Sequence, residues 1–342
     1  MTDFTITEDF PKNEIEFDKR FSEPRACYDY LFQQKWPDGF LCKKCGHRKF
    51  WLSSRNLYIC TQCEHQHSLT AGTIMDSSKK PITYWFKAMW WFTTRKTGVN
   101  AVNLQQLLGF GSYETAWKWL QKLRRCTIRE HREKLSGRVE VDEFFIGGQK
   151  SGPRGRGAHG KTIVAVAVER WNLKKRMGRI RLHVALDCSA YSLETFILHH
   201  IQPGSTIATD ALPSYSFIEA SGYAHEKTNQ RQSGNYEALY GVHLITSLVK
   251  RLIRGTFQGR FEPKYLQNYL DEYVFRFNRR KSKSIGKIFM RIIQQVVRST
   301  KITGSEIKWD MDPLSEHFAT WAFQRTGKDK EIILKYLPFK KN

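Results

Sequence analysis

At Gly137 the chain changes rhythm, and that change limits its possible folds more than any other feature. GRVEVDEFFIGG, KTIVAVAVERW and GRIRLHVALDCS alternate or run apolar over strand lengths, SLETFILHHI returns to helical spacing, and STIATDA reads as a fourth strand. Three strands, a helix and a further strand make an α/β domain with a mixed sheet. The loop between the first two strands, QKSGPRGRGAHGK, is basic and rich in glycine. It suits either close approach to a phosphate backbone or a long solvated hairpin loop.

Within the first strand stand Glu140, Asp142 and Glu143, in a chain with 56 Lys+Arg against 33 Asp+Glu and a formal charge of +23. Alternate side chains of a strand share a face, so Glu140 and Asp142 project together, opposite Val139 and Val141. A meander, a helix and a parallel strand laid beside the first form the opening half of the ribonuclease-H-like fold, which brings Asp142 next to Asp210 at the end of TIATDA. Two close carboxylates repel each other, and a shared divalent cation relieves the repulsion. The alternative is plainer: Asp142 a solvated strand residue and Asp210 a turn or helix cap.

Further on, YGVHLITSLVKRLIRG sets His243, Ser247, Lys250 and Arg254 on one helical stripe, with Leu244, Leu248 and Leu252 on the other side. Such a stripe suits a helix lying over an active site, although a lone histidine on an amphipathic helix is more often plain surface. SLVKRLIRG and YLQNYLDEYVFRFNRR read as helices, and from Arg276 to Lys301 there are nine Lys or Arg and no acid.

Ahead of the sheet lie Cys42-x2-Cys45 and, fourteen residues on, Cys60-x2-Cys63. Two such knuckles deliver four thiolates to a tetrahedral zinc ion, whose binding folds a unit too small for a core of its own. With four thiolates no coordination position stays open, so this zinc is structural; a redox pair or free thiols are the alternative. ITYWFKAMWWFTTR reads as a buried helix, its aromatics core rather than base-stacking platforms. NAVNLQQLLGFGSYETAWKWLQKLRRC outlines a helix-turn-helix, one helix ending at Gly109 and a second capped by Ser112. That second helix presents Ala116, Trp117, Leu120 and Leu123 on an apolar face and Lys118, Lys122, Arg124 and Arg125 to phosphates, although many helical pairs of this kind touch no DNA.

The positive charge, with a pI near 9.8, favours a polyanion partner, nucleic acid before membrane. No apolar run reaches the length of a membrane-spanning helix, and MTDFTITEDFPKNE lacks the character of a signal peptide, so a cytoplasmic location is expected.

Taken together, WPDGFLCKKCG, CTQC, SLTAGTIM, VEVDEFFIGG, the GRGAHGK loop, VHLITSLVKR, IRGTFQG and YLDEYVFRFNRR stand in family order over residues 20–290. The chain resembles bacterial insertion-sequence transposases with an N-terminal zinc ribbon and a DDE-type, ribonuclease-H-like catalytic domain, the group related to the Merlin transposons. The resemblance implies that Asp142 and Asp210 are the first two catalytic acids and that Lys250 matches the basic residue after the third. Seven residues before Lys250 stands His243 rather than Glu, which implies a D, D, H set holding two magnesium or manganese ions, with Glu237 as rival third ligand. Imidazole in place of a carboxylate weakens the case for strict magnesium preference.

The implied activity is DNA cleavage and strand transfer at the terminal inverted repeats of an insertion sequence. Its partners would be double-stranded element ends and target DNA, worked on by at least a homodimer. Two other functions stay open: a zinc-ribbon transcription regulator without catalysis, and a metal-dependent nuclease that joins nothing. The expected organisation is a helix and zinc ribbon over 1–75, a helix-turn-helix region over 76–135, the catalytic domain over 136–300 and an extension over 301–342, where Trp309, Trp321 and Phe323 suggest folded structure.

Overall fold

A computed structural model describes residues 9–129, 132–147, 161–171, 176–228, 238–259, 261–303 and 307. The chain forms two compact units: one holds residues up to Arg129 together with Arg279–Ile307, the other runs from Glu130 to Asn278.

The first unit opens with α1 (Glu14–Arg20), where the Asn13 side chain accepts the Glu16 N–H, and α2 (Pro24–Lys35), which starts on a proline. Three short strands follow, β1 (Phe50–Leu52), β2 (Tyr58–Cys60) and β3 (Gln66–His67), in antiparallel order β1-β2-β3. The last turns of α2 pack Phe32 and Trp36 against Phe40, Phe50 and Tyr58 of this ribbon. Next comes α3 (Ile82–Thr94), which buries Trp85, Phe86, Met89, Trp90 and Phe92, as a core helix must.

α4 (Ala101–Leu108) and α5 (Tyr113–Arg125) form the expected helix-turn-helix. Gly109 ends α4 in the left-handed region at φ 60°, where its N–H reaches back to the carbonyls of Gln105 and Gln106. Ser112 stands at the N-cap of α5, but its hydroxyl makes no capping bond.

The inward face of α5 is rotated from the expected one. Trp119 rather than Trp117 turns fully inward, stacking on Trp85 with ring centres 3.7 Å apart. Arg124, eight residues after buried Ala116 and so on the same helical face, is 1% exposed and donates to the Val99 carbonyl at 3.2 Å. It is therefore not a phosphate contact. Lys122 donates to the Ile74 carbonyl, and Lys118 pairs with Glu114.

The second unit is a five-stranded mixed sheet covered on both faces. Its strands are β4 (Arg138–Ile146), β5 (Thr162–Arg170), β6 (Met177–Ala185), β7 (Thr206–Asp210) and β8 (Ala224–Thr228), in the order β6-β5-β4-β7-β8. β4, β5 and β6 form the antiparallel meander, while β7 runs parallel to β4 and β8 parallel to β7. Together with its helices this is the ribonuclease-H-like arrangement.

On one face, Val139, Val141, Ala165, Ala167 and Ile207 meet α6 (Ala190–His200) and Tyr215 of a short 3-10 turn. On the other, Phe144, Val164, Val166, Val168 and Ala208 meet α7 (Tyr240–Gly255) and α8 (Pro263–Phe277). The buried stripe of α7 is Val242, Ile245, Val249 and Ile253, so Leu244, Leu248 and Leu252 flank it half-buried instead of forming it.

The open edge at β6 is closed by side chains. Gln267 of α8 accepts the Val184 N–H at 2.8 Å and donates to the Leu182 carbonyl, and Asn278 does the same for both backbone groups of Ile180.

Strand β8 had no counterpart in the sequence reading, because AHEKT is polar and lies mostly exposed at the other edge. The chain then returns to the first unit with α9 (Ile285–Val296), although the catalytic region was expected to run to residue 300. The reason is aromatic: Phe289, fully buried, sits among Phe17, Phe21, Tyr30, Phe86 and Trp90. Among the described residues no helix is long and apolar enough to cross a membrane.

Candidate active site

The cysteine quartet lies at the two knuckles of the ribbon. Sγ of Cys42 and Cys63 are 3.6 Å apart, as are those of Cys45 and Cys60, and all four lie within 4.8 Å of one another. A tetrahedral zinc with Zn–S of about 2.3 Å separates its sulfurs by ~3.8 Å, so the quartet fits the ion. Desolvation raises the Cys42 pKa, but the N–H groups of Cys45 and Lys44 and the His67 side chain outweigh it and bring the thiol down to about 5. His67, buried, places Nε2 3.4 Å from Cys42 Sγ as an outer partner to the ligand set. His47 turns to Thr61 instead.

In the second unit the strand register carries the geometry. Glu140 faces Ala208 across the β4–β7 pair, so the residues two further along each strand, Asp142 and Asp210, come level. Glu140 and Ala208 belong to the α7 face, and so by alternation do both aspartates.

His243, in the first turn of α7, brings Nε2 to 3.8 Å from Asp142 Oδ2. This separation is beyond a hydrogen bond yet within two metal–ligand distances of about 2.1 Å. The His243 side chain stays 43% exposed, and desolvation of its packed side lowers its pKa from the usual 6.5, in the direction of the neutral, ligating imidazole. The Asp210 carboxylate accepts the Leu212 N–H at 3.4 Å, and Asp142 accepts that of Glu143 at 2.8 Å. Among the described residues only the cysteines bring three donors within 4.8 Å of one another, so Asp142, Asp210 and His243 share a face without closing to that spacing. Two carboxylates and one neutral imidazole on one face suit a divalent cation of intermediate hardness.

Beyond His243, α7 lines a cavity of about 680 Å³ with Thr246, Ser247, Lys250, Arg251 and Arg254. Burial depresses the Lys250 pKa, Arg254 and Lys161 add to the depression, and Asp142 opposes it. The polar stripe expected from the sequence is thus the wall of this cavity.

The other acids of VEVDE have separate partners. Glu143 accepts the Tyr215 hydroxyl at 2.7 Å. Tyr215 is wholly buried, and desolvation followed by Glu143, Asp142 and Asp210 drives its pKa well above 10. Nothing in the sequence marked Tyr215 beyond its place five residues after Asp210. Glu140 is fully buried and ion-paired with Arg170, Nε to Oε1 at 3.0 Å. Glu237, the basic glycine-rich loop and Trp309, Trp321 and Phe323 lie outside the described residues.

A mixed sheet of this order, with two acids brought level beneath a basic helix, places the second unit in the ribonuclease-H-like class. Residues 134–278 match the ISXO2-like transposase domain and residues 23–66 the transposase zinc-ribbon domain. The chain thus carries a transposase zinc ribbon ahead of an ISXO2-like transposase domain of the DDE type. A search of curated proteins gives no match. Among solved structures, a chain in the cryo-EM structure of the simian T-cell lymphotropic virus intasome in complex with PP2A regulatory subunit B56 gamma is similar at 14% identity and a TM-score of 0.30, over 51% of this chain and 63% of that one, under two thirds of its length. A likeness that loose says nothing about this chain's chemistry.

Proposed function

We propose that this protein is a transposase that binds the terminal inverted repeats of an insertion sequence, cleaves the DNA there and joins the freed ends to target DNA. The observation that carries the reading is Asp142 level with Asp210 and 3.8 Å from His243 on one face of the sheet. Asp142, Asp210 and His243 would hold two magnesium or manganese ions, which supply an activated water for cutting and an activated 3′-OH for joining, and offset charge on the scissile phosphate.

The chain's own part is placement. Lys250, held in the cavity wall, sets an ammonium against the flanking phosphate, where its charge counts more than in open water. Arg251 and Arg254 extend that contact along the backbone, and His243 stays unprotonated so that its ring nitrogen remains a donor. The zinc ribbon and helix-turn-helix contribute recognition of the repeats. Cutting two ends together calls for at least a dimer.

The test uses purified full-length protein, Mg²⁺ or Mn²⁺ and a DNA fragment bearing the element's ends. Joined products are expected; cleavage alone would mean a nuclease, and a shifted but intact band a regulator. Asp210→Asn abolishes cutting while leaving DNA binding nearly intact, and persistent cutting would refute the site. His243→Glu keeps activity and His243→Ala loses it; if His243→Ala cuts like wild type, Glu237 takes the third place.

A further inference from the structure

We propose that Glu140 is a positioning residue: it fastens the start of α7 to β4 and thereby sets His243 beside Asp142. The role attributed to His243 is that given under the proposed function, and the inference rests on it.

The fastening begins with a deficiency in α7. Leu239 occupies its N-cap, and its side chain makes no capping hydrogen bond. The first-turn N–H groups therefore need an acceptor from elsewhere. Glu140 supplies it from a strand 102 residues earlier, accepting the Val242 N–H at 3.1 Å through Oε2. A carboxylate at that end also suits the helix dipole. The other oxygen faces Arg170 at 3.0 Å and Arg138 at 3.5 Å. Arg170 in turn lies over the ring of Tyr240, the first residue of α7, at 5.7 Å.

Gly241 allows this closeness. A Cβ there would stand 2.7 Å from Glu140 Oε2 and 3.1 Å from Val168 Cγ1. Two rungs thus join β4 to α7, with Glu140 on Val242 and, two strand residues on, Asp142 facing His243. A buried carboxylate with buried arginine is a poor way to gain stability compared with apolar packing, but it fixes register where orientation matters. Outer partners of this kind govern how well a ligand meets its metal.

The test uses the zinc-loaded full chain carrying Glu140→Gln or Gly241→Ala, each also combined with His243→Ala. Alanine is a better helix former than glycine, so Gly241→Ala acts on docking rather than on the helix itself. Melting curves establish that each variant folds. Amide exchange reads the clamp, and Mn²⁺ affinity without DNA, followed by electron paramagnetic resonance, reads its consequence. Both single variants should speed exchange at the Val242 amide while leaving β5 protected, and weaken Mn²⁺ binding about tenfold. In the His243→Ala background neither should weaken it further.

Unchanged exchange at Val242, with Mn²⁺ affinity lowered by His243→Ala, overturns the clamp and leaves the function standing. An equal loss of Mn²⁺ affinity with and without His243 overturns the positioning role. Wild-type affinity in His243→Ala, with exchange still faster in Glu140→Gln, refutes His243 as ligand and removes the role with it.

Discussion

Phe289→Ala tests whether α9 belongs to the first unit. The ring is fully buried and meets five others: Phe17 and Trp90 at 5.5 Å, Phe21 and Phe86 at 5.9 Å, and Tyr30 at 6.3 Å. Phe→Ala in a core costs about 3–5 kcal/mol, least where neighbours can collapse into the space. Here the neighbours come from α1, α2 and α3, each anchored by its own helix, so the upper half of that range applies, about 4–5 kcal/mol. For a unit of this size that corresponds to a fall in melting temperature of roughly 8–20 °C.

Seven of the ten tryptophans lie between Trp36 and Trp119, which makes intrinsic fluorescence a reporter of this unit. Amide exchange by mass spectrometry then locates the loss, which should fall on α2, α3 and α9 while β4 to β7 keep their protection. A shift under about 3 °C, or a loss centred on the sheet with α3 intact, would refute the assignment.

Cys60→Ser should release the zinc, taking the metal content from one ion per chain to none in a chromophoric assay and erasing the near-ultraviolet signal of the Phe32–Tyr58 stack. His200 is buried, and desolvation, with Arg132, His183, His199 and Arg181 adding to it, lowers its pKa well below 6.5. As pH falls below 6.5 the unfolded chain takes up this proton first, so stability should be flat above that value and fall by up to about 1.4 kcal/mol per pH unit beneath it. Urea midpoints at the two ends of that range should show a smaller acid loss in His200→Phe. Arg124→Ala should lower the melting temperature without changing the salt dependence of DNA binding, whereas Lys118→Ala should reduce the salt slope by about one and leave melting alone.

The sheet was legible because three strands of nine residues each alternate or run apolar, and because SLETFILHHI after them returns to helical spacing. The nearness of Asp142 and Asp210 followed from the strand order, their catalytic assignment from the family resemblance, and the cysteine spacing identified the ribbon. What stayed hidden depended on partners remote in sequence. Glu140 looked like a companion of Asp142 until Arg170 and Val242 came into contact with it. Arg124 read as surface because charge outweighed helical phase, and α9 read as part of the sheet domain because nothing in KSKSIGKIFM signals a return to the aromatic cluster. β8 escaped because an exposed edge strand has no apolar face to betray it.

A helix usually inherits its starting point from the segment that leads into it. α7 is different, since the acceptor for its opening turn comes from the middle of β4. The peptide joining β8 to α7 can therefore grow or shrink between related chains without carrying His243 away from Asp142. Spacing between the second and third site residues is then a poor guide for aligning distant copies, and a glycine placed two residues ahead of the third would be the better landmark.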